Sequence, residues 1–161
     1  MRLDEMLVDI AFPALKPHQK GTFIKLGLRR AQAISLVNAA VLLTMDKHRV
    51  ERAVITLGAV APTIIYAREA EAYLEGRSLD DATISRAAEL AMQSARPIDD
   101  VRSSADYRQE MVRICTLRAL RLLSKGAERQ DFPSRPVFLW GKDFFPAGAS
   151  GVSQGSSHAP G

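Results

Sequence analysis

The chain has 161 residues, 47% hydrophobic and 25% charged, which suits one globular domain with an appendage. Its formal net charge is +4 and its aromatic content 6%. The basic residues are dispersed beside acidic ones, which argues against nucleic acid, because such binders need a basic stripe or an aromatic stacking platform.

The longest apolar run, Ile34 to Met45, is broken by Ser35, Asn38 and Thr44 and falls short of the roughly 20 residues of a membrane span. The opening Met1-Arg2-Leu3-Asp4-Glu5 lacks the apolar stretch of a signal peptide, so a cytoplasmic location is expected. Cys115 stands alone and can form neither an internal disulfide nor an iron-sulfur cluster. His18, His48 and His158 are far apart with no ligand partners at metal-binding spacing, so no metal site is expected.

In chain order, Met6, Val8, Ile10 and Phe12 alternate with Leu7, Asp9 and Ala11, which predicts a first strand ended by Pro13. Ile24, Leu26 and Leu28 alternate with Lys25, Gly27 and Arg29, giving a strand with one apolar and one basic face. Ile34 to Thr44 reads as a central strand, Met45 to Arg49 as a hairpin connection, and Val50 to Val60 as a fourth strand closed by Pro62.

Beyond Pro62 the period changes. Ala67 to Leu74 predicts a short helix with Gly76 at its C-terminal cap. Ser78, Asp80 and Asp81 start a second helix with Ile84, Ala87, Ala88 and Ala91 on its buried face, stopped by Pro97. Ser104 caps a third, whose predicted buried face is Tyr107, Met111, Ile114, Cys115, Ala119 and Leu122. Strands followed by helices predict an α+β sandwich: an antiparallel sheet of three to four strands with three helices packed on one face. Residues 1–125 form that domain. Residues 126–161 read as a tail, aromatic from Phe138 to Phe145 and then Gly/Ser-rich and disordered.

Motifs for chemistry are sparse. There is no G-x-G-x-x-G loop, no P-loop and no G-x-S-x-G elbow. The Asp99–Asp100 pair lies close to Arg96 and Arg102 and reads as ion pairing rather than acid–base chemistry. No catalytic residue is expected. The suggestive feature is Lys25, Arg29 and Arg30 at a strand end, where three cations could meet an anion or protect a sheet edge.

These residues resemble a known family, in order along residues 5 to 123. Phe23-Ile24-Lys25-Leu26-Gly27-Leu28-Arg29-Arg30, Val37-Asn38-Ala39-Ala40-Val41, Leu57-Gly58-Ala59-Val60-Ala61-Pro62-Thr63, and Arg96-Pro97-Ile98-Asp99-Asp100-Val101-Arg102 with Ala105-Asp106-Tyr107-Arg108 are similar to the C-terminal domain of the FAD-binding subunit of molybdenum hydroxylases, the xanthine dehydrogenase and carbon monoxide dehydrogenase family. The resemblance implies an oxidoreductase complex in which a molybdenum cofactor oxidises substrate, [2Fe-2S] clusters carry electrons, and FAD passes them on. It implies that the segment from Lys25 to about Leu36 approaches the flavin and shapes acceptor access, with Lys25, Arg29, Arg30 and Gln32 as cofactor-facing residues. Partners would be a separate FAD-binding domain, an iron-sulfur subunit and a molybdenum subunit. Ala31-Gln32-Ala33 replaces the acidic residues of xanthine-dehydrogenase-like members, which speaks against NAD as acceptor. The Gly-rich loops for the FAD pyrophosphate are not found in this sequence, so FAD is expected to bind only together with that other domain. The alternative reading is a stand-alone interaction module that uses the Phe138–Phe145 segment and has no redox role.

Overall fold

The computed structural model describes residues 4–8, 10–29 and 33–130. The chain divides into two units, Leu15–Asp131 and Met1–Ala14 with Phe132–Gly161. The body, Leu15–Asp131, holds a four-stranded antiparallel sheet in sequential order: β1 (Gln19–Gly27), β2 (Ser35–Asp46), β3 (Arg49–Gly58) and β4 (Ile65–Tyr66). Helices α1 (Arg68–Leu74), α2 (Asp81–Ser94) and α3 (Ala105–Lys125) follow. The expected α+β arrangement is therefore present.

The period of two decides which sheet face is buried. Val37, Ala39, Val41 and Leu43 of β2 are buried with Ala53, Ile55 and Leu57 of β3, and Ile24 and Leu26 of β1 pack against the same core. Against them the helices bring Leu74, Ile84, Val112, Leu120 and Leu123. On α2 the small residues Ala87, Ala88 and Ala91 are fully buried, so neighbouring helices can approach closely there. Asp80 caps α2 by accepting from the Thr83 N–H at 2.8 Å, and Ser104 caps α3 through the Tyr107 N–H. These short acceptors satisfy donors that a helix start leaves unpaired. Gly76 and Gly126 take positive φ of 76° and 64° just beyond α1 and α3, the left-handed step that glycine makes at least cost.

Three expectations need correction. The strand expected at Met6–Phe12 is absent: the described residues of 4–14 form neither helix nor strand. Alternation establishes a tendency to extend, and a strand also needs a neighbour to pair with. The strand expected at Val50–Val60 is Arg49–Gly58, third in order, and the fourth is the two-residue β4 beyond Pro62. β3 ends early because Ala59 turns into the left-handed region at φ 65°.

The buried face of α3 keeps the expected Cys115 and Ala119 but is otherwise rotated from the expected one. It comprises Arg108, Val112, Cys115, Thr116, Ala119, Leu120 and Leu123, while Tyr107 is exposed and Met111, Ile114 and Leu122 are half-buried. One residue is about 100° of helix, and the apolar bulk of Tyr107 draws the expected stripe one position too early. The aromatic segment Phe138–Phe145 and the Gly/Ser-rich stretch lie outside the described residues.

Candidate functional site

β1 places Lys25 between the core-packed Ile24 and Leu26, so Lys25 is exposed on the face that the helices do not cover. Its register partner is Asn38 on β2, which pairs in turn with Gly58 on β3. The adjacent row is Phe23, Ala40, Thr56 and Tyr66 across all four strands, with Phe23 59% exposed. The open face therefore carries a row with one cation, Lys25, beside one aromatic-edged row.

At the end of β1 the register to β2 shifts between Leu26 and Gly27. A Cβ added to Gly27 would lie 2.8 Å from the Cβ of Ala33, so the absence of a side chain lets the loop return tightly. Arg29 is exposed just beyond this turn. Arg30 and Gln32, the other two expected cofactor-facing residues, lie outside the described residues.

The same end of the sheet opens into a cleft of about 490 Å³ lined by Ile34 and Ser35 around the start of β2, Ala59, Ala61 and Pro62 after β3, and Arg96, Asp100, Arg102 and Arg108. Asp100 organises its floor. Its Oδ2 accepts from Arg102 at 2.6 Å, and its Oδ1 faces Arg108 Nη2 at 2.6 Å. Hydrogen bonds from the Arg102 side chain and backbone N–H, and then from Arg108, hold its carboxyl well below the ordinary carboxylate value of 3.8.

Arg108 is only 4% exposed. It also donates to the Ala59 carbonyl at 3.3 Å, bracing the one cleft residue with left-handed backbone, a conformation that costs a residue with a Cβ about 1–2 kcal/mol. Its Nε has no hydrogen-bond partner among the described residues, an unmet donor that must be offset elsewhere.

The expected pairing of Arg96 with the aspartates does not occur. Arg96 donates to the carbonyls of Gln93 and Ala95 and so closes the C-terminus of α2, while Asp99 accepts from the Ala105 N–H at the start of α3. Arg108 takes the place expected for Arg96. The sequence signal for it is a charge on an otherwise apolar stripe, since 108, 112, 115 and 119 fall on one helix face. Cys115 lies buried on that stripe, and burial pushes its thiol pKa up. Among the described residues no group of three His, Cys, Asp or Glu converges as metal ligands.

The fit to FAD is partial. The exposed row at Lys25 and the turn at Arg29 can face a flat anionic or electron-rich group. A pyrophosphate wants free backbone N–H groups at a glycine-rich turn or helix start. Here the left-handed glycines sit at helix C-termini, the starts of α2 and α3 are closed by Asp80 and Ser104, and α1, whose start has no side-chain cap, is only seven residues long. The described residues therefore supply no phosphate cradle.

Solved structures carry the same fold. The body overlays on quinoline 2-oxidoreductase from Pseudomonas putida with a TM-score of 0.64 and 32% identity, covering 70% of this chain and 39% of that one. That sets it in the class of domains found within oxidoreductase subunits. The chain belongs to the CO dehydrogenase flavoprotein C-terminal domain family, which matches residues 22–123.

Among its relatives are the 6-hydroxypseudooxynicotine dehydrogenase complex subunit alpha of Paenarthrobacter nicotinovorans, 32% identical over 72% of this chain, and the carbon monoxide dehydrogenase medium chain of Afipia carboxidovorans, 33% identical over 72%. The chain spans 39% and 40% of their respective lengths. The family match covers the sheet from Thr22 on, the cleft and nearly all of α3, and so includes every feature of the site described above.

Proposed function

We propose that the chain acts as the flavin-covering domain of an FAD-dependent molybdenum hydroxylase-type oxidoreductase, with Lys25, Arg29, Arg30 and Gln32 facing the cofactor and the cleft beside them opening toward the electron acceptor. The observation that carries this is the exposed Lys25 on the uncovered sheet face, one strand end away from exposed Arg29 and the arginine-lined cleft. FAD is held by a separate FAD-binding domain, since the phosphate cradle is not supplied by the described residues. An iron-sulfur subunit with [2Fe-2S] clusters and a molybdenum subunit with its cofactor complete the assembly, in keeping with relatives that are a dehydrogenase complex subunit and a dehydrogenase medium chain. The role is positioning and shielding rather than catalysis by this chain alone. A single, buried free cysteine suits the reducing cytoplasm, and that is where this reading puts the complex.

No described residue or relative favours an interaction module without a redox role, and the Phe138–Phe145 segment on which that reading rests lies outside the described residues. The test is flavin fluorescence of FAD bound to a separately produced FAD-binding domain, titrated with this chain. The expected result is saturable quenching that requires both proteins and weakens several-fold with Lys25→Ala and Arg29→Ala. A titration that leaves the flavin emission unchanged, or two variants that quench like the parent, contradicts the proposal.

A further inference from the structure

The segment before the body has a sequence made for a sheet and takes no place in the sheet of this chain. Met6, Val8, Ile10 and Phe12 alternate with Leu7, Asp9 and Ala11 up to Pro13, a period of two that no helix face matches. The described residues among them form neither strand nor helix. Met6, Leu7, Val8, Ile10 and Phe12 are all exposed, from 65% to 85%. Five large apolar side chains within seven residues form a patch of the kind that marks a contact surface. The four-stranded sheet begins at Gln19 and is ordered β1-β2-β3-β4 without this segment.

We propose that residues 6–12 form a β-strand on docking to the FAD-binding portion of the flavoprotein subunit, adding to the edge of a sheet there. Backbone pairing is the chemistry that an alternating, extended segment offers, and a sheet edge is the surface that satisfies it. Met6, Val8, Ile10 and Phe12 then share one face, while Leu7 and Ala11 share the other with Asp9. Both faces are largely apolar, so the added strand is covered on both sides. Pro13 cannot donate to a ladder and marks its end. The occupant follows from length: relatives at 32% and 33% identity extend well beyond the match, which spans only 39% and 40% of them. This rests on the flavin-covering reading for the identity of the partner and goes beyond it in assigning a second contact away from Lys25 and the cleft.

The experiment is amide hydrogen exchange on the full chain, alone and with the part of the Afipia carboxidovorans medium chain that precedes its matching region, loaded with FAD so that its folding is assured. Alone, amides of residues 6–12 exchange near the unprotected rate. In the complex they slow by about tenfold or more. Ile10→Pro, which removes a ladder donor outside the body, weakens association about tenfold. Protection of this segment in the isolated chain overturns the proposal, because its partner would then be within the chain. Fast exchange within a formed complex, or full affinity of Ile10→Pro, does the same. Flavin quenching without protection at 6–12 overturns the strand and leaves the flavin reading standing, protection without quenching does the reverse, and no association at all counts against both.

Discussion

The two ends of the sheet are built from opposite materials. At the hairpin end, β2 and β3 meet at Asp46–Arg49, with Gly76, Ser78 and Asp80 alongside. Residues 44–52, 75–81 and 121–130 expose no large apolar side chain, and Leu15 ahead of β1 is the exception at this end. Arg49 donates to the Gly76 carbonyl, and the Lys20 ammonium to the Leu123 carbonyl at the C-terminus of α3. This is an end finished for water, with its polar groups spent on its own backbone. The other end exposes Leu28, Ile34, Ile64, Ile98 and Val101 around the cleft and holds at its floor buried Arg108 against half-buried Asp100. Folding alone rewards the first arrangement; the second is the kind a partner or ligand surface requires.

The sharpest way to break this contrast is at Arg108. Arg108→Ala leaves half-buried Asp100 to Arg102 alone and removes the brace on Ala59, so unfolding free energy should fall by about 2–3 kcal/mol, measured by urea denaturation. A loss below about 1 kcal/mol would mean that the pair behaves as a surface ion pair and that the cleft floor is not built as described.

Acid tests the other member of that pair. The folded-state carboxyl of Asp100 lies below its ordinary value of 3.8, so its contribution is fully present above about pH 4 and is lost as pH falls toward the folded value. The difference in melting temperature between the parent and Asp100→Asn should therefore be constant from pH 5 to 7 and shrink below pH 4. A difference that grows in acid would reverse the assigned sign.

Away from the cleft, Glu71 supports the sheet edge. Its buried Oε1 accepts from the Ile55 N–H at 2.8 Å and Oε2 from Arg68, taking the place of a strand where β4 is too short to pair. Glu71→Ala should cost about 2 kcal/mol through the unmet backbone donor, with amide exchange at Ile55 accelerating most.

The smallest effect compares the two non-glycine residues in left-handed backbone, Lys47 at the hairpin and Ala59 at the cleft. Glycine at either relieves the Cβ penalty at some entropic cost. Ala59→Gly and Lys47→Gly should each stabilise by less than about 1 kcal/mol, and only Ala59→Gly should alter quenching of a partner's flavin.

Much of the fold was legible because strand alternation and helix caps are local signals. Lys25 between Ile24 and Leu26, Asp80 before Thr83, and Gly76 after Leu74 each announce their role within a few residues. The two-residue β4 carries no such pattern, and it is placed by β3 and by the helix that follows. The 6–12 segment shows the converse, a clear pattern whose pairing partner is not in the body's sheet. On α3 the charge at Arg108 disguised an inward position, because its counter-ion lies in a different loop. The cleft was not legible as a cleft: its residues come from separate segments around 34, 60, 96–102 and 108, and only tertiary packing brings them together.

The central claim is that the cleft end, rather than the hairpin end, faces the flavin-binding partner. The direct measurement is the affinity of the full chain for an FAD-loaded FAD-binding domain, read by flavin fluorescence, with charge reversed at one end or the other. Lys25→Glu with Arg29→Glu should weaken binding about tenfold or more, while Lys47→Glu with His48→Glu should change it by no more than a factor of about two. Equal losses at both ends, or a larger loss from the hairpin pair, would contradict the account.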